Sequence, residues 1–132
     1  MAGVYLDTSA VGRVLLGEPD SGAILEAIGA YETRVASRLL RVELLRLALR
    51  SDVVTDAEQL LNGIALVPLD QNTLTAAETV DPRVLATLDA IHLVTAVRLR
   101  HDGHVAAMMT YDRRLAAGAA HHGLAVIAPG AS

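Results

Sequence analysis

Short apolar runs alternating with helical patterns predict a three-layer α/β/α domain around a central, mainly parallel sheet of four to five strands. Three observations carry this expectation. The runs near residues 4–6, 33–36, 64–67, 105–109 and 124–127 are too short and too uniformly hydrophobic to be half-exposed antiparallel strands. The segments between them are long enough for helices and several carry an apolar stripe. Right-handed crossovers in such an order bring the carboxyl ends of the strands to one edge, where open parallel sheets place their ligand sites.

The first run ends at Asp7, with Thr8 or Ser9 able to cap a helix reaching about Leu16. Gly17-Glu18-Pro19-Asp20 breaks the pattern, and a second helix follows from Asp20 or Ser21, with Ile24, Leu25 and Ile28 on its apolar side. After the second strand, Ser37 opens a helix over 38–50 whose leucines at 39, 40, 44 and 47 form a broad stripe, with Glu43 inside it. Thr55-Asp56-Ala57-Glu58 has the form of a capping box and starts a short helix toward Asn62-Gly63. A helix over 70–79, a turn at Asp81-Pro82 and a strong helix from Thr87 or Leu88 to about Arg100 follow the third strand. After the fourth strand come Thr110-Tyr111-Asp112 and a helix from Arg113 to His121-His122-Gly123. The last strand precedes a loose tail, Pro129-Gly130-Ala131-Ser132.

The 132 residues fit one domain, 1–132, and the 52% hydrophobic share supports a core without disulfides, since cysteine is absent. No stretch is apolar enough to span a membrane and no leader pattern opens the chain, so a cytoplasmic protein is expected. All eleven basic residues are arginine. Chemistry that needs an essential lysine is closed. Phosphotransferases of the haloacid-dehalogenase type and receiver domains, both with an Asp after the first strand, are disfavoured on that ground. With three tyrosines and no Phe or Trp, a base-stacking platform is not expected. The formal net charge of −4 argues against a general nucleic-acid surface, unless acids cluster around metal: one divalent cation would halve that charge and two would cancel it.

Asp7, Glu43, Asp89 and Asp112 are the candidate cluster. Each also has an ordinary explanation: Asp7 as a cap, Glu43 in an ion pair with Arg46 or Arg50, Asp89 as an acid at a helix's positive end, Asp112 as a residue at a strand end. Crowded carboxylates raise one another's pKa and need a positive charge among them. An all-oxygen set without cysteine suits Mg²⁺ or Mn²⁺, ions that bind phosphate oxygens and activate water. His92, one turn after Asp89 on an apolar face, is expected to be hydrogen-bonded in place rather than to bind metal. His121 and His122 adjoin a helix end, and Tyr111 is expected to pack with its hydroxyl satisfied.

Tyr5-Leu6-Asp7-Thr8-Ser9-Ala10, Glu43 in its Leu- and Arg-rich helix, Leu88-Asp89-Ala90-Ile91-His92-Leu93 and Thr110-Tyr111-Asp112-Arg113-Arg114-Leu115 together resemble the PIN-domain ribonucleases, specifically the VapC toxins of bacterial toxin–antitoxin pairs. The resemblance covers essentially the whole chain. It implies a PIN-like fold and a Mg²⁺- or Mn²⁺-dependent endoribonuclease with Asp7, Glu43, Asp89 and Asp112 as the acidic quartet, Asp7 and Asp89 being the surest metal ligands. Thr8, Ser9 and Thr110 then orient water or phosphate around the ligands. It further implies an RNA substrate (tRNA, rRNA or mRNA), a VapB-type antitoxin as partner, and a homodimer. Without lysine, RNA contact shifts to arginines. Arg38, Arg41, Arg46 and Arg50 share the helix of Glu43 and Arg113 and Arg114 adjoin Asp112, with Arg38 and Arg113 the candidates for RNA contact. The alternative is a catalytically silent PIN scaffold that binds RNA or a protein partner.

Overall fold

Val4 and Leu6 point to one face of a sheet and Tyr5 to the other, and this alternation divides the core of the molecule in two. The computed structural model describes residues 2–131; Met1 and Ser132 lie outside the described residues. Strand β1 (Gly3–Leu6) is central, flanked by β2 (Arg34–Ser37) and β4 (Val105–Met109), with β3 (Ala65–Val67) and β5 (Ala125–Ile127) at the edges. The order is β3-β2-β1-β4-β5 and every neighbouring pair is parallel. The expected sheet is therefore present with five strands, wholly parallel.

On the Val4 and Leu6 face lie α1 (Thr8–Leu15), α2 (Ser21–Gly29), α3 (Arg38–Ser51) and α4 (Val54–Leu61), which bury Ala10, Val11, Ile24, Leu40, Leu44 and Leu61 there. The Tyr5 face is covered by α6 (Thr87–His101) and α7 (Arg113–His121), with Leu93, Met108, Leu115 and Leu124 in its core. Leu40, Leu44, Leu93 and Leu115 are fully buried, each a contribution of roughly 1.5–3 kcal/mol from removal of apolar surface from water. Helix α5 (Gln71–Ala77) packs on α6, where Arg98 donates to Thr73 Oγ1 at 2.9 Å. Gly3 permits the strands to close here: a Cβ would sit 2.2 Å from Thr33 Oγ1 and 2.8 Å from the His104 carbonyl oxygen.

Three local expectations are corrected. Helix α1 is capped by Asp7, not by Thr8 or Ser9: the Asp7 carboxylate accepts from Ala10 N, so the helix begins one residue earlier. The capping box at Thr55 does not form. Helix α4 starts at Val54 behind an uncapped Val53, and Glu58 turns away to grip Arg41 at 2.8 and 3.1 Å, because a two-bond pair with a guanidinium is stronger than one bond to a backbone amide. The tail is tied down through residue 131: Tyr111 donates its hydroxyl to the Pro129 carbonyl and Ala131 N closes a turn onto Ala128 O.

Candidate active site

Because β1, β2 and β4 are parallel neighbours, their carboxyl ends open on one edge, where Asp7 and Thr110 follow β1 and β4 and Ser37 is the last residue of β2. Asp7 is 4% exposed. Its Oδ1 accepts from Ser9 Oγ at 2.7 Å and from Ala10 N at 3.1 Å, and its Oδ2 accepts from Thr110 Oγ1 at 2.6 Å. Burial lifts its pKa above the usual carboxylate range, only partly offset by the bonds from Thr110, Ser9 and Ala10. Ser9 and Thr110 continue the lattice: Ser9 Oγ accepts from Tyr111 N at 2.8 Å and Thr110 Oγ1 from Asp112 N at 3.1 Å. The hydroxyls expected to serve the site thus hold Asp7 and shape the loop that carries Asp112.

Asp112 repeats the design of Asp7. It caps α7, its Oδ1 accepting from Arg114 N at 2.9 Å and Leu115 N at 3.0 Å, which leaves its other oxygen without a protein donor among the described residues. Asp7 and Asp112 are thus both helix caps, as the ordinary explanation of Asp7 had it.

Glu43 lies on α3 and is not paired with Arg46 or Arg50. Its Oε1 accepts from Thr8 Oγ1 and from His92 Nε2, both at 2.7 Å. Burial alone would raise its pKa, but the bonds from His92 and Thr8 outweigh burial and hold it below the usual range. Thr8, expected to orient water or phosphate, here donates its hydroxyl to Glu43. Asp89, in the first turn of α6, is half-buried, and its pKa is raised by burial and then by the negative charges of Asp112, Asp7 and Glu43. Asp112, Asp7 and Glu43 are therefore within electrostatic reach of Asp89, with His92 opposing them.

Among the described residues, no three or more His, Asp or Glu side chains are gathered closely enough to hold one metal ion, so the acids are electrostatic neighbours and not an assembled ligand set. Nor does an arginine neutralise them. The ion pairs of the described residues join Arg13 to Asp20, Arg41 to Glu58 and Arg98 to Asp70, and only Glu43 of the four acids has a basic partner, His92. An oxygen-only set with unbalanced negative charge fits a hard divalent cation.

The arginines sort by what they already hold. Arg41 is engaged by Glu58, whereas Arg38 and Arg113 are exposed, each the first residue of a helix that leaves the site edge. Arg13 joins the site without a signal in the motifs, although it follows Ser9 by one turn of α1. Its guanidinium lies 4.2 Å from the Tyr111 ring centroid and donates to Asp20 Oδ2 at 3.1 Å. Tyr5 is the other residue the motifs do not single out: its hydroxyl meets His92 Nδ1 at 2.6 Å. His92 is hydrogen-bonded in place, as expected, and is 2% exposed.

The chain belongs to the PIN-domain family, whose model matches residues 4–120. Among proteins of that kind it is similar to Ribonuclease VapC47 of Mycobacterium tuberculosis, 35% identical with 97% of this chain and 98% of the relative covered, and to Ribonuclease VapC46 of the same species, 38% identical with 98% and 99% covered. Solved structures share the fold at lower identity. A toxin–antitoxin complex from Klebsiella pneumoniae aligns with a TM-score of 0.74 at 18% identity over 96% of this chain and 98% of the other. M. tuberculosis VapC20, described as a sarcin-ricin loop cleaving toxin, aligns with a TM-score of 0.67 at 16% identity over 87% and 94%.

Proposed function

We propose that the chain, as a single PIN domain, is an endoribonuclease that hydrolyses RNA phosphodiester bonds with Mg²⁺ or Mn²⁺, and that it acts as the toxin of a toxin–antitoxin pair that restrains translation or growth. One observation carries the site: Asp89 is half-buried and its carboxyl is raised by burial and by the negative charges of Asp112, Asp7 and Glu43, with His92 opposing them and no arginine ion-paired to any of the four acids among the described residues. Relatives named as VapC ribonucleases over nearly the full length support the reaction class, and the toxin–antitoxin neighbour supports a VapB-type antitoxin as partner. A homodimer is proposed from the family resemblance. Among the described residues no helix is long and apolar enough to cross a membrane.

Asp7 and Asp89 would hold the cation directly, with Glu43 and Asp112 acting through water. Such an ion, when bound, supplies positive charge that polarises a water and the phosphate oxygens. The protein's own part is placement. Thr110 and Ser9 fix both oxygens of Asp7, Thr8 and His92 fix one oxygen of Glu43, and Arg38 and Arg113 stand exposed beside the edge where a phosphate backbone would lie.

The test is RNA cleavage by the purified chain with Mg²⁺, with Mn²⁺ and with chelator, beside Asp7→Asn. Metal-dependent cleavage lost in the variant supports the proposal. RNA binding without cleavage under every metal condition favours the silent scaffold, and equal cleavage by Asp7→Asn overturns the site.

A further inference from the structure

Glu43 is gripped by one oxygen. Oε1 takes both of its donors, Thr8 and His92, and Oε2 accepts no hydrogen bond among the described residues. His92 is in turn fixed from behind. Its Nδ1 lies 2.6 Å from the Tyr5 hydroxyl, the Tyr5 ring meets the imidazole edge-on at 5.8 Å and 74°, and the Tyr5 oxygen accepts the backbone N–H of Ser37 at 3.1 Å. Tyr5 is fully buried and Ser37 is 1% exposed.

The direction of each bond follows from counting protons. An amide only donates, so the Tyr5 oxygen receives the Ser37 N–H and keeps its own hydrogen for another acceptor. The acceptor within reach is Nδ1. With Nδ1 accepting, Nε2 carries the ring hydrogen and donates to a carboxylate, which only accepts. Reversing the ring would set two acceptors face to face at Glu43 and strand a buried hydroxyl hydrogen, at a cost of roughly 1–3 kcal/mol for each unmet group.

We propose that His92 is a positioning residue: a relay from the Ser37 amide through Tyr5 and His92 pins Oε1 of Glu43 and leaves Oε2 as the oxygen offered to a cation or its water. The relay joins β1, the β2–α3 junction and α6, three elements far apart in sequence, to one side chain of α3. A free glutamate on a helix samples several rotamers, and ordering it costs entropy at the moment of binding. Here the fold has already confined it. This inference rests on the reading of Asp7, Glu43, Asp89 and Asp112 as a metal site.

The experiment uses the full chain with His92→Leu, His92→Gln and Tyr5→Phe, each checked for folding by thermal melts. Glutamine places an N–H close to where Nε2 stood. Side-chain methylene order of Glu43, read by NMR relaxation on metal-free protein, is expected to fall in His92→Leu and Tyr5→Phe and to return in His92→Gln. Mn²⁺ titration without RNA is expected to show binding weakened about tenfold in His92→Leu, with no added weakening when His92→Leu is combined with Glu43→Gln. Unchanged Glu43 order in both His92→Leu and Tyr5→Phe overturns the proposal, as does a His92→Leu effect that persists in full on top of Glu43→Gln. Wild-type protein that takes up no Mn²⁺ while Glu43 order responds as stated removes the metal reading and leaves the positioning intact.

Discussion

Thr110 donates a hydrogen bond of 2.6 Å to Oδ2 of Asp7 across 103 residues of sequence, and the same hydroxyl oxygen accepts from the amide of Asp112 at 3.1 Å. One side chain therefore ties two of the four candidate acids to each other. Replacing Thr110 by Val keeps the shape and removes both bonds. The expected outcome is a loss of roughly 1–3 kcal/mol of stability and about a tenfold fall in RNA cleavage, with Thr110→Ser retaining most of both. Denaturant unfolding beside single-turnover cleavage checks it.

Asp7 carries a stability prediction with a definite sign. Its folded carboxyl is raised above 3.8, the ordinary value. The folded chain therefore holds a proton at pH values where the unfolded chain has released it. Stability from this group is complete below the unfolded pKa and is lost as pH rises through the folded pKa. Metal-free Asp7→Asn should melt higher than metal-free wild type at neutral pH, and the gap should shrink as pH falls toward 4. Added Mg²⁺ should narrow the gap by raising the wild type alone. Melting curves in chelator and in Mg²⁺ across pH decide this, and a variant that melts lower at neutral pH would contradict it.

Arg38 and Arg113 are exposed and free of ion pairs among the described residues. If they face phosphates, Arg38→Ala and Arg113→Ala should each weaken RNA binding evenly across sequences and reduce the slope of log affinity against log salt by about 0.7. Neither should alter the stability of the free protein by more than about 0.5 kcal/mol. Salt titrations of binding to inactive Asp7→Asn give the slope directly.

The absent capping box at Thr55 predicts a silent substitution. Removing a true cap costs typically about 1 kcal/mol, but Thr55 is exposed and is not the residue that caps α4, so Thr55→Ala should stay within a few tenths. Arg41→Ala, which breaks the bidentate pair with Glu58, should cost more, up to about 1 kcal/mol for a pair that solvent still reaches. Equal effects of the two variants would reverse this assignment.

The sheet and the helices were legible because each has a local signal, apolar runs of strand length and apolar stripes of helical period, and the candidate acids drew notice by their places, Glu43 inside a leucine stripe and Asp7 and Asp112 just past strands. What was not legible lies in partners chosen by tertiary contact. Glu58 fits a capping box on paper, yet Arg41 sits within its reach and offers two bonds. Glu43 sees Arg46 and Arg50 along its own helix, but its partners come from α1 and α6. Tyr5 reads as one more apolar strand residue, and nothing around it in sequence announces that its hydroxyl ends on His92, 87 residues away. Arg13 likewise joins the site through a ring that arrives from the far end of the chain.

Asp7 and Asp112 each seat the first turn of a helix with one oxygen, while the other is held by Thr110 in Asp7 and takes no protein donor among the described residues in Asp112. If the proposed site is right, chemistry and scaffold are welded at these two positions, and alanine scanning there would report a mixture of lost reaction and frayed backbone. Asparagine, which serves a helix start as well as aspartate does, separates the two losses. Inactive mutants that nevertheless accumulate as sound protein should accordingly be drawn from a narrow set of replacements.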